Sequence, residues 1–205
     1  MQFSQKINEI AAAAERDLAP IFAKIDEVSF ENTNKVMDAF REHRVAATNF
    51  DTTSGYGYDD RGRDVLDEIW AEVMGAESAI VRHQIVSGTH AITIALFGIL
   101  RPGDTLLAAT GAPYDTLEKV IGHTSPSAGS LAEYGVSYEQ VDLLKDTETP
   151  DLMGIQAALE KNPAIKMVHI QRSRGYCTRP SLSIQWIERI VKAVRAIRKD
   201  VIIFV

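Results

Sequence analysis

An α/β fold around a mostly parallel sheet is predicted by two features of the sequence. Short, almost continuously apolar runs alternate with segments whose apolar residues recur at helical spacing, the pattern of strands buried on both faces and joined by crossover helices. Three polar clusters, at Ser87-Gly88-Thr89, Pro113-Tyr114 and residues 171–176, each follow such a run, where open parallel sheets place their ligands. With 205 residues, 45% of them apolar and 24% charged, the chain can bury the core of one large domain, with or without an added arm.

Ile7, Ile10, Ala11, Ala14 and Leu18 give residues 3–28 a helical period, and Pro20 should split that helix, because an interior proline loses a hydrogen bond and clashes with the preceding turn. A second helix, over about 34–43, carries Val36, Met37 and Phe40 on one face. Residues 1–48 therefore read as a helical arm, either a cap on the same domain or a subunit contact, and residues 49–205 as the sheet domain. Residues 52–63, T-T-S-G-Y-G-Y-D-D-R-G-R, form a loop by composition, and its arginines suit either phosphate and carboxylate or ordinary surface ion pairs. Val65, Leu66, Ile69, Trp70 and Val73 mark an amphipathic helix closed by Gly75.

Residues 79–86 read as a central strand leading into Ser87-Gly88-Thr89 and a helix that ends near Leu100. Ser87 is a natural N-cap, and Gly88 permits close approach to backbone N–H groups at the positive end of the helix dipole. The same features cap many ordinary helices. A strand at 105–109 precedes Tyr114 and a helix ended by Gly122. A short helix at 127–133, a strand at 136–143, a helix capped by Asp151, a strand at 165–170, a helix at 184–197 and a last strand at 201–205 complete the pattern.

The net charge is -6 and no basic block is present, which argues against nucleic acid or anionic membrane as partners. A single cysteine, Cys177, rules out an internal disulfide and suits a reducing cytoplasm. It reads as an incidental thiol or as a nucleophile. No signal peptide opens the chain, and no apolar run is long enough to span a bilayer. His83, His90, His123 and His169 lack metal-ligand spacing, so no metal site is expected and they read as structural residues.

The segments T-T-S-G-Y-G-Y-D-D-R-G-R, V-S-G-T-H-A-I, T-G-A-P-Y-D-T-L and I-Q-R-S-R-G-Y together resemble the amino-terminal part of a pyridoxal-phosphate enzyme of fold type I. More narrowly they resemble the methionine gamma-lyase-like family, also called aluminium-resistance proteins, relatives of the cystathionine lyases. The resemblance covers most of residues 45–180. It implies the first part of a fold type I large domain, pyridoxal 5'-phosphate as cofactor and an amino-acid substrate. The implied reaction is α,β- or α,γ-elimination at a carbon–sulfur bond, in a cytoplasmic homodimer or homotetramer. Ser87, Gly88 and Thr89 would hold the cofactor phosphate, with His90 beside them. Tyr114 would stack on the pyridine ring as a catalytic residue. Tyr56 or Tyr58, with Arg61 (or Arg63 in its place), would reach the phosphate of a neighbouring subunit. The stretch from Gln171, with Arg172 and Arg174, would lie near the ring hydroxyl or the substrate carboxylate.

Two parts of the family pattern are unmatched. The aspartate that pairs with the pyridine nitrogen is expected after the strand ending at Val205, and the lysine that holds the cofactor lies further on. Lys119, Lys145, Lys161 and Lys166 do not fit the lysine motif. Since the chemistry needs that lysine, the chain is expected to be incomplete and inactive alone. The alternative is a non-catalytic fragment or subunit that assembles only with a partner. A nucleotide-binding domain fits less well, because neither G-x-G-x-x-G nor G-x-x-x-x-G-K-[ST] occurs.

Overall fold

In the computed structural model, which describes residues 3–56, 60–125 and 127–205, four strands form one parallel sheet: β1 (Thr105–Ala108), β2 (Ser137–Gln140), β3 (Ile165–His169) and β4 (Ile202–Phe204). Their spatial order is β2-β1-β3-β4, with every neighbouring pair parallel. The inner strand β1 is buried along its whole length and β3 at all positions but Lys166, as expected when both faces of a parallel sheet are covered. Side chains alternate between the faces except after Ile165, where the β1–β3 register shifts by one residue. Leu107, Val168 and Ile165 meet Ile155 and Leu159 of helix α5 (Leu152–Lys161) and Ile190 and Val194 of helix α6 (Ile184–Ile197). Leu106 and Met167 meet Leu96 of helix α3 (Gly88–Ile99) and Leu117 and Ile121 of helix α4 (Asp115–Ile121).

The helix boundaries follow local chemistry. Asp151 accepts a hydrogen bond from the Gly154 N–H at 2.9 Å, and Ser183 accepts one from the Trp186 N–H at 3.4 Å, so orphan donors of the first turns are satisfied. Gly122 ends α4 at φ +77°, and a Cβ there would come within 2.5 Å of Ser130 Oγ. Glycine is required at that position on both counts.

Contacts divide the chain into two units, Met1–Gln84 and Ile85–Val205. The first contains α1 (Gln5–Glu42), a 3-10 turn at Ala47–Phe50 and α2 (Arg61–Met74). His43 lies between Glu68 and Glu72 of α2, at 3.1 and 2.8 Å. Asp60 caps α2, accepting from the Arg63 N–H and from the Thr53 hydroxyl, and Gly75 ends it at φ +64°. Of α1, only Ala39 is buried, while Ile7, Ile10, Ile21, Phe22, Ile25 and Val28 are exposed.

Three expected elements differ. The expected amino-terminal helices are one element: Gln5–Glu42 runs unbroken through Pro20 and takes in the helix expected over about 34–43. Arg16, whose carbonyl loses its donor, is exposed, so water can satisfy it and the rest of the ladder carries the helix. Residues 79–86 form no strand. The Val81 N–H donates to Asp67 Oδ1 at 2.7 Å and the Val86 N–H to His90 Nδ1 at 3.3 Å, so side chains take the donors a ladder would use, and Ile80 and Val86 are exposed. Residues 127–133 make turns, not a helix, because Leu131 and Ala132 donate their N–H groups to Val120 and Ile121 of α4 rather than within their own segment. Among the described residues, no helix is long and apolar enough to cross a membrane.

Candidate functional site

At the carboxyl ends of β1 and β3 lies a cleft of about 500 Å³, lined among others by Ser87, Gly88, Thr89, Tyr114, His169 and Arg172. Its first wall is the start of α3. Ser87 is extended (φ -161°, ψ 164°) and its Oγ accepts from the His90 N–H at 3.1 Å. His90 returns the contact by accepting from the Val86 N–H, which fixes the entry to the helix. The Gly88 and Thr89 N–H groups have no protein acceptor among the described residues. A Cβ on Gly88 would meet no atom within 4 Å, so packing does not account for the glycine. Free donors at the positive end of a helix, reachable past a residue without a side chain, suit a phosphate group. Thr89 Oγ1 lies 3.1 Å from Thr116 Oγ1, joining the entries of α3 and α4.

Tyr114 stands opposite, as the N-cap residue of α4. Its position is set from a distance in sequence: its N–H donates to Gln171 Oε1 at 2.6 Å, while Gln171 Nε2 donates to the Ser173 carbonyl at 3.2 Å. Thr110 Oγ1 accepts from the Gln171 N–H at 3.0 Å. The Tyr114 ring stacks on Tyr176, with centroids 5.7 Å apart and planes 27° from parallel. Gly175, at φ +56°, allows this approach, because a Cβ there would lie 3.1 Å from Tyr114 Cδ2. The hydrogen bond to the Tyr176 hydroxyl, then burial, then the charges of Tyr176 and Asp115 hold the Tyr114 phenol above its ordinary pKa. It therefore stays protonated near neutrality, a donor and not a base.

The third wall is the segment after β3. Arg172 Nε donates to the Leu182 carbonyl at 3.2 Å, and the Leu182 N–H returns a bond to the Arg172 carbonyl at 3.0 Å. Inside the loop thus closed, the buried Arg179 donates to the carbonyls of Pro180, Gln171 and Ser173 at 3.0, 3.4 and 2.8 Å. These bonds preorganise the loop that carries Arg172. His169, the last residue of β3, is 7% exposed and packs against Phe204 at a centroid distance of 5.7 Å. Burial pushes its pKa down from 6.5 to about 4.

The structure thus brings Ser87, Gly88, Thr89, Tyr114 and Arg172 to one cleft. Arg174 is exposed and does not line it. Tyr56 and Arg61 are exposed residues of the first unit, Arg61 being the first residue of α2. Tyr58 lies outside the described residues. Arg63 pairs with Asp60 at 2.9 Å. Thr116, Arg179 and the place of His169 in the cleft wall escaped the sequence reading. The run of polar side chains after an apolar strand was the available signal for His169, and nothing local marked the other two. Among the described residues, no group of three or more His, Cys, Asp or Glu side chains is placed to hold a metal ion.

Sheet and cleft put the chain among α/β proteins that can hold an anionic ligand at a helix N-terminus beside an aromatic ring. Comparison with known proteins narrows this: the methionine gamma-lyase family model matches residues 7–205, and the chain belongs to that family. It is 44% identical to a Clostridium novyi NT protein whose structure is described as a carbon-sulfur lyase involved in aluminum resistance, with a TM-score of 0.91 over 98% of this chain and 47% of that one. A Clostridium acetobutylicum protein, provisionally described as a cystathionine beta-lyase involved in aluminum resistance, matches with the same identity, coverage and TM-score of 0.91. YnbB of Bacillus subtilis (strain 168) is 46% identical over 200 residues, which are 97% of this chain and 47% of YnbB. The chain spans about half the length of the relatives it matches.

Proposed function

We propose that the whole protein is a pyridoxal-phosphate-dependent lyase that breaks a carbon–sulfur bond in an amino acid, by elimination at the β or the γ carbon. The observation that carries this reading is the convergence of the α3 N-terminus, the Tyr114 ring and Arg172 on one cleft. The names of the related Clostridium proteins support it. Bound pyridoxal phosphate supplies an electron-withdrawing ring that acidifies the substrate's α proton.

The chain's own residues bind and orient. The Gly88 and Thr89 N–H groups, with the Ser87 and Thr89 hydroxyls beside them, hold the phosphate. Tyr114 offers its ring face to the pyridine and a protonated phenol to the reacting end of the substrate. Arg172, held by Leu182, takes the substrate carboxylate through its remaining guanidinium N–H groups. No lysine lines the cleft among the described residues, so removal of the α proton is not assigned to this chain. Tyr56, Tyr58 and Arg61 belong to the site of a neighbouring copy in this reading, which makes the whole protein a homodimer or homotetramer.

The test is a substrate panel on the whole protein with pyridoxal phosphate. Pyruvate from cystathionine or cysteine identifies β-elimination, and 2-oxobutyrate with a thiol from methionine identifies γ-elimination. If no sulfur amino acid yields a keto acid while the cofactor is bound, the lyase reading fails.

A further inference from the structure

His169 separates from the other polar residues of the cleft once their hydrogen bonds are traced. Ser87 Oγ accepts from the His90 N–H and keeps its own proton to donate, Thr89 Oγ1 meets Thr116, and both ends of the Gln171 amide are taken by Tyr114 and Ser173. Arg172 is tied to Leu182. The ring nitrogens of His169 make no hydrogen bond to any described residue, yet they are not fully occluded, and the residue lines the cleft while only 7% exposed. Polar atoms that open on a cleft without a protein partner are left for water or a ligand to satisfy. The aromatic ring packed against it, that of Phe204, is apolar.

The chemistry of a fitting partner can be narrowed. The anion of a ligand is served by the α3 N-terminus and by Arg172, and a buried imidazole that stays neutral above about pH 4 adds no charge to either. It offers one N–H donor and one nitrogen acceptor. We propose that His169 is a further cofactor-contact residue, whose ring nitrogen hydrogen-bonds an uncharged polar atom on the ring portion of pyridoxal phosphate. This rests on the reading of the cleft given above and adds a residue to it.

The test uses pyridoxal phosphate itself on the whole protein. Nitrogen NMR shifts of the His169 imidazole, assigned by their loss in His169→Phe, are recorded with and without the cofactor, and affinity is measured by cofactor fluorescence. The expected result is a shift of the His169 resonance on binding. Affinity should fall roughly tenfold in His169→Phe, the worth of one well-made hydrogen bond, and recover at least in part in His169→Gln, which keeps a donor and an acceptor. Cofactor binding by the parent with an unmoved His169 resonance, or with unchanged affinity in His169→Phe, overturns this inference and leaves the rest of the cleft intact. No binding by the parent overturns both. If His169→Phe does not fold, the His169→Gln spectrum supplies the assignment and the parent's resonance decides.

Discussion

Acidification should reach the sheet through His169 before it reaches most of the surface. The unfolded imidazole takes a proton near 6.5, the folded one only near 4, because burial disfavours the cation. Between those values the unfolded chain holds more protons, so the stability contributed by the neutral imidazole is fully present above 6.5 and drains away as pH falls toward 4. Linkage puts the loss at about 2 kcal/mol by pH 5 and about 3 kcal/mol by pH 4, a large part of the ~5–15 kcal/mol that holds a domain folded. The perturbation is His169→Phe, which keeps an aromatic ring beside Phe204 and removes the titration. Urea unfolding of both proteins across this range, taken as a difference, isolates the residue. Carboxylates held low by partners, such as Asp200 by Arg198 and Glu188 by Lys192, titrate in both and cancel. The parent should lose about 3 kcal/mol more than His169→Phe between neutrality and pH 4. Parallel stability curves would mean that His169 titrates normally and that the end of β3 is open to water.

Gly88→Ala should leave the unfolding free energy within about 0.5 kcal/mol of the parent, since a Cβ there meets no atom within 4 Å. It should also weaken pyridoxal-phosphate binding more than tenfold, or about 1.4 kcal/mol, in a fluorescence titration; equal affinity would place the phosphate elsewhere. Tyr114→Phe should retain bound-cofactor absorbance, whereas Tyr114→Ala should lose about 0.5–1.5 kcal/mol of binding, and equal binding by both would reduce Tyr114 to a helix-entry residue. Gly122→Ala, forced to φ +77° with its Cβ against Ser130, should lose about 2 kcal/mol or more in urea unfolding. Sedimentation of the cofactor-bound whole protein should give a dimer or larger species, and a monomer would refute the role of Tyr56, Tyr58 and Arg61 in a neighbouring site.

Elements governed by local chemistry were legible in the sequence. α6 was readable from the spacing of Ile187, Ile190, Val191 and Val194, and the ends of α2 and α4 from Gly75 and Gly122, both at positive φ. The start of α3 at Ser87 was readable for the same reason. Residues 79–86 misled because an apolar run records burial preference, while the fate of its N–H groups depends on Asp67 and His90. Pro20 misled because its cost depends on whether the freed carbonyl can reach water, which spacing does not encode. The cleft was readable as separate loops. Its assembly was not, since the bond from Tyr114 to Gln171 joins residues far apart in sequence, and Arg179 acts on backbone carbonyls that any sequence would supply.

The strand order also dictates a timetable for biosynthesis. β1 and β2, neighbours in the sheet, are made first; β3, which lies on the other edge of β1, and β4, which lies on β3, follow. Until residues 165–169 emerge from the ribosome, the inner edge of β1 is an unpaired, apolar strand edge, the kind of surface on which nascent chains associate wrongly. Docking of β3 covers that edge and in the same event delivers Gln171 to the Tyr114 N–H and Arg172 to the cleft mouth. Shielding of that edge and closure of the cleft walls are therefore coupled in one addition of a strand.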